Sequence, residues 1–537
     1  MFKNERNSIL FRTAAVFALL LALVIVCIVR ILLISSSQQL KTSASNNSYS
    51  INVKRLRGTV FDTNLRPITN RESEYIAFVF PTEQAIIKIS EVLKGEQLES
   101  VLNTLKDGKA AVVELKESLQ AEGIECIKVK KHITENTAAE HLIGYLDATG
   151  HGVCGLEADF DDILYSEKYI NLRYSCDAKG NLLYDDIEID FDESVYNNGV
   201  VTTIDLSMQE IVEKAMQSVT KGAAVVLEAG TGKLRAMVSK PSYNQTKIKD
   251  YLNDTDSALI NRALSAYDVG SVFKPCIAAA ALDSDVNLAG DYFCSGSQVI
   301  ANHNFVCNSH SGHGNLNLQS AIAYSCNTYF YNLAVNTGAT NLYSAASNYP
   351  FGQVIYLTKS IKTSKGNLTS LNRLKTSDAA IANFAIGQGD LLISPLALAT
   401  LYDAIACSGV YKTPSLIEKT IVDGDVKEYE TTVSTRVMSE KTASTIKEYL
   451  KSVVLYGTGT KANPSLVSAA GKTATAQTGS VIGQNRISNG WFCGFFPADE
   501  PKYVVVIVAE GAKSGGEIAA PIFSSIADES VRYGLVN

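Results

Sequence analysis

The chain has 537 residues, of which 46% are apolar and 19% are charged, so most of it should fold around sizeable cores rather than stay disordered. Its net charge is −7 at pH 7, and no run of lysines or arginines forms a basic face. This composition argues against nucleic acid as a partner. The length allows two to four domains.

The N-terminal segment predicts a membrane anchor. Residues 14–34 are apolar except for Arg30, and about 20 apolar residues suffice to span a bilayer. Lys3, Arg6 and Arg12 precede this run, so the positive-inside rule places residues 1–12 in the cytoplasm and the rest of the chain outside. The run is long for a signal peptide, and no Ala-x-Ala site follows it. We therefore predict a single-pass protein of the cell membrane with its helix over 13–34.

The remaining chain divides by composition and periodicity. Residues 35–50 are polar and low in complexity, which is typical of a linker. Mixed helix and strand patterns over 51–165 predict a small α+β accessory domain, followed by a connecting segment over 166–199. From residue 200 to 537, strand patterns at both ends enclose a largely helical middle, which predicts a larger α+β domain.

The first of three motifs in the large domain contains Ser271 and Lys274. Pro275 belongs in the first turn of a helix, so Ser271 and Lys274 should share a face at the helix start. A lysine kept neutral by desolvation could take the proton of the serine. The same spacing recurs at Ser218–Lys221 and Ser444–Lys447. The motif alone is therefore equally compatible with a capping serine and a solvated lysine.

The other two motifs are weak when taken singly. Ser325 and Asn327 stand two residues apart, and their hydroxyl and amide could relay a proton and hold a substrate amide; a polar turn between helices is the alternative. Lys472 and Thr473 lie on a predicted strand of small residues and could bind a carboxylate. The alternative there is an edge-strand lysine that discourages aggregation.

In this order and at these wide spacings, the three motifs resemble those of penicillin-binding proteins and serine β-lactamases. The likeness extends beyond them, to residues 267–275, 313–334, 386–406 and 489–497. Further upstream, residues 57–64 and 141–164 resemble the N-terminal module of class B penicillin-binding proteins, and residues 202–209 resemble the start of their transpeptidase domain. Together with the anchor, the resemblance covers nearly the whole chain.

The resemblance implies an antiparallel sheet covered by helices, an all-helical subdomain, and D,D-transpeptidation of peptidoglycan stem peptides ending in D-Ala-D-Ala. Ser271 would be the acylated nucleophile, Lys274 its general base, and Ser325 a proton relay to the leaving D-alanine. The resemblance also implies that β-lactams inhibit the enzyme and that a membrane-embedded glycan polymerase is its partner.

The resemblance also assigns substrate-binding residues. Asn327 would hold the substrate amide, and Lys472 and Thr473 its terminal carboxylate. The backbone N–H groups of Ser271 and Thr475 would form the oxyanion hole. Three other activities stay open: a D,D-carboxypeptidase, a β-lactamase, and a catalytically weak β-lactam-binding scaffold or sensor.

Two features of the sequence are not accounted for by the three motifs: the residue at position 474 and a cluster of possible metal ligands. Ala474 stands where the third motif usually has glycine, and we expect its methyl group to narrow the substrate channel. Metal-ligand residue types also cluster at Cys307, His310, His313 and Cys326, and some relatives carry a structural zinc near the second motif. Because His313-Gly314 is common in the family without metal, we predict no metal and no cofactor. A Cys294–Cys307 disulfide across a short polar loop is a further alternative.

Overall fold

The computed structural model describes residues 2–36, 48–176, 182–284, 286, 292–429, 433–482 and 485–536. Its α-helices, numbered in chain order, are α1 Phe2–Ser36, α2 Glu83–Val92, α3 Gly95–Lys106, α4 Glu140–Ile143, α5 Gly155–Asp159, α6 Asp161–Leu164, α7 Leu206–Ala215, α8 Lys274–Asp283, α9 Leu318–Ala323, α10 Asn327–Thr337, α11 Ala339–Ser347, α12 Leu371–Thr376, α13 Asp378–Ala385, α14 Pro395–Ala406, α15 Glu440–Leu455 and α16 Ala519–Arg532.

The strands are β1 Ser48–Arg57, β2 Thr59–Phe61, β3 Glu72–Val79, β4 Ala111–Leu115, β5 Ile124–Lys131, β6 Tyr165–Cys176, β7 Leu182–Asp190, β8 Gly199–Thr202, β9 Gly222–Glu228, β10 Leu234–Lys240, β11 Tyr292–Cys294, β12 Ser297–Ile300, β13 His303–Val306, β14 Gly314–Leu316, β15 Val410–Lys412, β16 Ile417–Val422, β17 Asp425–Glu428, β18 Ser434–Arg436, β19 Ala470–Ile482, β20 Asn485–Phe496 and β21 Tyr503–Ala509. Short 3₁₀ turns occupy Glu193–Asn197, Ile248–Tyr251, Gly270–Phe273 and Thr460–Ala462.

Contacts divide the chain into two compact units. The first comprises Met1–Leu56, Ser73–Lys130 and Ser166–Glu193; the second comprises Arg57–Glu72, Lys131–Tyr165 and Ser194–Asn537. The boundaries drawn from the sequence, at 51–165, 166–199 and 200–537, cut the chain differently and stay a prediction.

The first unit contains α1 and two small three-stranded sheets, β1-β6-β7 and β4-β3-β5. Within α1, Ser8–Leu33 is long and apolar enough to cross a membrane, and its side chains are exposed. The second sheet has a core of its own, in which Ala77 and Val79 of β3 pack with Ile89 of α2 and Leu105 of α3. Ile76 and Phe78, which alternate with these residues along β3, are fully buried as well, so both faces of the strand are covered.

The second unit is built on a five-stranded antiparallel sheet in the order β10-β9-β21-β20-β19. Every residue of β21 is buried, because both faces of the sheet are covered. Val504, Val506 and Val508 belong to one core with α8 and α14, whereas Val505 and Ile507 belong to another with α7 and α16. The mixed α+β fold expected from the sequence is confirmed.

Helix α8 lies in the largest core of the second unit, where it packs against α10, α11 and α15. Its sequence after the first turn is a run of small apolar residues, and Ala278 and Ala281 are fully buried. Small side chains let neighbouring helices approach closely, and the 3₁₀ turn Gly270–Phe273, which leads into α8, contacts the edge strand β19.

Candidate active site

The first motif lies where a 3₁₀ turn, Gly270–Phe273, runs directly into α8. Pro275 occupies the first turn of the helix, as the sequence predicted. Gly270 has φ +63°, and a Cβ on it would lie only 3.2 Å from the Cβ of Ala476. Its N–H donates to the carbonyl of Gly387 at 2.9 Å. The turn that carries the half-buried Ser271 is therefore fixed from both sides.

Lys274 is fully buried and joins the first motif to the second. Its Nζ donates to the carbonyl oxygen of Ser325 at 2.7 Å, to Asn327 Oδ1 at 2.8 Å and to Ser325 Oγ at 3.2 Å. Burial lowers the pKa of Lys274 to about 7, because the surrounding protein solvates an ammonium less well than water does. A large share of this amine is therefore neutral near neutral pH.

The second motif forms the break between α9 and α10. Ser325 has φ +58°, the left-handed conformation that costs a residue other than glycine on the order of 1–3 kcal/mol. It is only 6% exposed, and α10 begins two residues later, at Asn327. This sharp turn directs both the carbonyl and the hydroxyl of Ser325 to Lys274.

The third motif lies on β19. Lys472 is fully buried, and its Nζ donates to the carbonyl of Thr473 at 2.9 Å. Burial lowers the pKa of Lys472 well below its ordinary value, and the positive charge of Lys274 lowers it further. An arriving anion would offset both effects. The hydroxyl of Thr473 lies 2.7 Å from that of Thr458, and Thr475 is exposed two residues farther along the strand.

Ala474 shares a face of β19 with Lys472, and the expectation that its methyl group narrows a substrate channel stays a prediction. Side chains alternate along a strand, which puts Ala474 on the opposite face from Thr473 and Thr475. Ala474 is 4% exposed, and its Cβ lies 3.4 Å from the position of a Cβ on Gly270. The methyl group thus packs beneath the turn that carries the nucleophile candidate.

The two competing Ser-x-x-Lys pairs have different surroundings. Lys221 is partly exposed and pairs with Asp256 at 2.9 Å. Lys447 donates to the backbone carbonyl of Asp499 at 3.0 Å, in an exposed position. Neither lysine is buried as Lys274 is, so the geometry favours the first motif.

Four ligand-type side chains converge beside the second motif: Cys294, Cys307, His313 and Cys326. Their ligand atoms all lie within 4.8 Å of one another. The Cys307 and Cys326 sulfurs are 3.8 Å apart, and His313 Nδ1 lies 3.6 and 3.5 Å from the sulfurs of Cys294 and Cys307. Tetrahedral zinc with Zn–S bonds of about 2.3 Å requires sulfurs about 3.8 Å apart, so this set fits a Cys₃His zinc centre.

This cluster differs from what the sequence suggested. His310 is not part of it, and Cys294, which the metal-ligand reading omitted, is. Cys294 and Cys307 are free thiols, so the disulfide alternative is not formed in this structure. The sequence carries no local signal for Cys294, because its position depends on the pairing of β11 with β14, in which Cys294 lies opposite Gly314 and so next to His313. The geometry counts against the prediction of no metal.

Comparison with known proteins identifies the family. The model for the penicillin binding protein transpeptidase domain matches residues 222–528. The chain belongs to this family. Stage V sporulation protein D of Bacillus subtilis (strain 168) is 28% identical over 91% of this chain and 80% of its own length. The peptidoglycan D,D-transpeptidase MrdA of Acinetobacter baumannii is 24% identical over 81% of this chain and 71% of its own length.

Solved structures support the fold of this family member. The D,D-transpeptidase domain of a peptidoglycan glycosyltransferase from Eggerthella lenta superposes with a TM-score of 0.66 at 23% identity, covering 90% of this chain and all of that one. Penicillin binding protein 3 of Mycobacterium tuberculosis, complexed with ampicillin, gives a TM-score of 0.65 at 22% identity over 90% of this chain and 96% of its own. The penicillin-binding transpeptidase fold expected from the sequence is thus confirmed.

Proposed function

We propose that Ser271 is the nucleophile of a peptidoglycan D,D-transpeptidase and that Lys274 is its general base. The observation that carries this proposal is the burial of Lys274, whose pKa is lowered to about 7 while its Nζ contacts Ser325 and Asn327. In the first step the hydroxyl of Ser271 attacks the carbonyl carbon of the penultimate D-alanine and gives its proton to Lys274.

The tetrahedral intermediate then collapses. The backbone N–H groups of Ser271 and Thr475 hold its oxyanion. The C–N bond to the terminal D-alanine breaks, and the departing amine takes a proton from Lys274 through Ser325, whose Oγ is 3.2 Å from the lysine nitrogen. An amine of a second stem peptide then attacks the acyl-enzyme ester and gives a proton to Lys274 through Ser325. The C–O bond of the ester breaks, and Lys274 returns the proton to the Oγ of Ser271.

Substrate binding draws on the other motif residues. Asn327, at the start of α10, holds the substrate amide, and Lys472 and the hydroxyl of Thr473 hold the terminal carboxylate. The carboxylate supplies the negative charge that Lys472 lacks in its buried position, and so favours the ammonium form.

The reaction is tested with a synthetic pentapeptide ending in D-Ala-D-Ala and an acceptor amine. The wild type should release D-alanine and form the cross-linked product, and Ser271→Ala should do neither, while Ser444→Ala matches the wild type. Release of D-alanine with water as the only acceptor would instead favour a D,D-carboxypeptidase. Hydrolysis of penicillin with multiple turnovers would favour a β-lactamase.

We also propose a structural zinc ion bound by Cys294, Cys307, His313 and Cys326. The support is the spacing of the four ligand atoms, together with their burial. Cys326 lies between Ser325 and Asn327, and the N–H of Asn327 points to Cys307 Sγ at 3.4 Å. The ion would supply a rigid cross-link between the two-stranded sheet of β11 and β14 and the second motif.

The membrane topology and the partner are proposals of the same kind. The apolar helix at Ser8–Leu33 supports a single-pass protein, with the N-terminus in the cytoplasm and the transpeptidase domain outside. Cross-linking needs new glycan strands. We propose that a membrane-embedded glycan polymerase supplies them beside this anchor.

A further inference from the structure

A short loop after α15 connects the second and third motifs. Gly457 approaches the end of α9 so closely that a Cβ on it would lie 2.3 Å from the carbonyl oxygen of Ala323. The backbone N–H of Thr458 donates to that same carbonyl at 3.0 Å. Since Ala323 is two residues from Ser325, the loop is fixed to the helix that ends at the second motif.

The side chain of Thr458 reaches the third motif. Its Oγ1 lies 2.7 Å from Thr473 Oγ1, a short hydroxyl–hydroxyl hydrogen bond. Thr458 is exposed, whereas Thr473 is 6% exposed. One residue therefore contacts the second motif through its backbone and the third through its side chain.

We infer that Thr458 is a positioning residue that orients the hydroxyl of Thr473 toward the substrate carboxylate. The inference rests on the proposed function. A threonine hydroxyl has a single hydrogen to donate, and a carboxylate only accepts. When Thr473 donates to the carboxylate, its oxygen is left free to accept, and the hydroxyl of Thr458 donates to it. This chain of two hydrogen bonds polarises both groups in the same direction.

The inference predicts a loss that depends on the carboxylate of the ligand. Thr458→Val keeps the shape of the side chain and removes the hydroxyl, and Thr458→Ser restores it. Acylation rates are measured over a concentration series with penicillin G and with its methyl ester, which has no carboxylate. For penicillin G we expect Thr458→Val to lower the second-order acylation rate constant about tenfold, or about 1.4 kcal/mol. Most of this effect should be a rise in the penicillin concentration that gives half of the maximal acylation rate.

The same variant should change the constant for the methyl ester by less than about twofold, and Thr458→Ser should stay near the wild type with both probes. Thr460→Val is the matched control, because Thr460 is exposed two residues farther along, at the start of the 3₁₀ turn Thr460–Ala462, and it should acylate normally. Equal losses of Thr458→Val with both probes, no loss with either, or an equal loss in Thr460→Val would overturn the inference. A wild type that penicillin G does not acylate would refute the proposed function itself.

Discussion

Acylation of the enzyme should follow the titration of Lys274. Burial lowers the pKa of this lysine to about 7, and only the neutral amine can take the proton of Ser271. About three quarters of the lysine is neutral at pH 7.5 and about 3% at pH 5.5, so the acylation rate should fall roughly 25-fold between these values. With an ordinary pKa of about 10.4, only about one molecule in a thousand would be active at pH 7.5.

The assay is the second-order rate constant for a fluorescent penicillin between pH 5.5 and 9. It should rise tenfold per pH step at the acid end and level off above about pH 7.5. A constant that is flat from pH 5.5 to 9, or that still rises tenfold per step at pH 9, would refute the assignment of Lys274 as the base. Lys274→Arg keeps the charge but does not deprotonate, and it should lose about 10²- to 10⁴-fold at every pH.

The effect of Lys274 on stability does not account for the expected fall in acylation at acid pH. Because the pKa of Lys274 is lower in the folded chain than in the unfolded one, the folded chain binds fewer protons between about pH 7 and 10. The contribution of this group to stability therefore rises with pH through that window and is constant below it. The fall in acylation from pH 7.5 to 5.5 lies mostly below the window, and thermal unfolding at each pH provides the control.

Three further predictions concern the metal, the third motif and the membrane. The purified chain should contain about one zinc per molecule by elemental analysis. Cys294→Ser should lower both the zinc content and the melting temperature, whereas Cys126→Ser should lower neither. A wild type that is purified without metal, and whose melting temperature does not change when zinc is added, would contradict the zinc centre. Ala474→Gly should cost about 1–2 kcal/mol of stability, from a lost buried methyl and a glycine in a strand. If the methyl group narrows the channel, the variant should acylate faster than the wild type with bulky β-lactams, and unchanged rates with slender and bulky β-lactams alike would contradict that expectation. A reporter fused after residue 537 should behave as exported and remain with the membrane fraction, and a cytoplasmic reporter or a released chain would contradict the proposed topology.

Much of the site could be predicted because its residues are close in sequence or belong to recognisable motifs. Pro275 marks the start of α8 and so places Ser271 and Lys274 at that end of the helix, Ser271 in the turn that precedes it. The continuous apolar run of β21 is typical of a strand in a sheet with both faces covered, and the two cores lie on the two faces. These features depend on local periodicity, and local periodicity is visible in a sequence.

Features that depend on tertiary contacts could not be predicted in the same way. The direction of the Ala474 side chain depends on which face of β19 packs against Gly270. The sequence pattern of the strand does not decide between the two faces. The metal-ligand set depends on the pairing of β11 with β14, which brings Cys294 next to His313. Thr458 belongs to none of the three motifs. Its contact with Thr473 depends on the hydrogen bond that fixes the loop after α15 to the carbonyl of Ala323.

The measurement that tests the central claim most directly is the mass of the intact protein after reaction with penicillin G, followed by proteolysis to locate the adduct. The wild type should gain the mass of one penicillin on the peptide that contains Ser271, and Ser271→Ala should gain none. Ser218→Ala and Ser444→Ala should react as the wild type does, because Lys221 pairs with Asp256 and Lys447 donates to the carbonyl of Asp499, and neither lysine is buried. An adduct that persists in Ser271→Ala, or that maps to another serine in the wild type, would contradict the account.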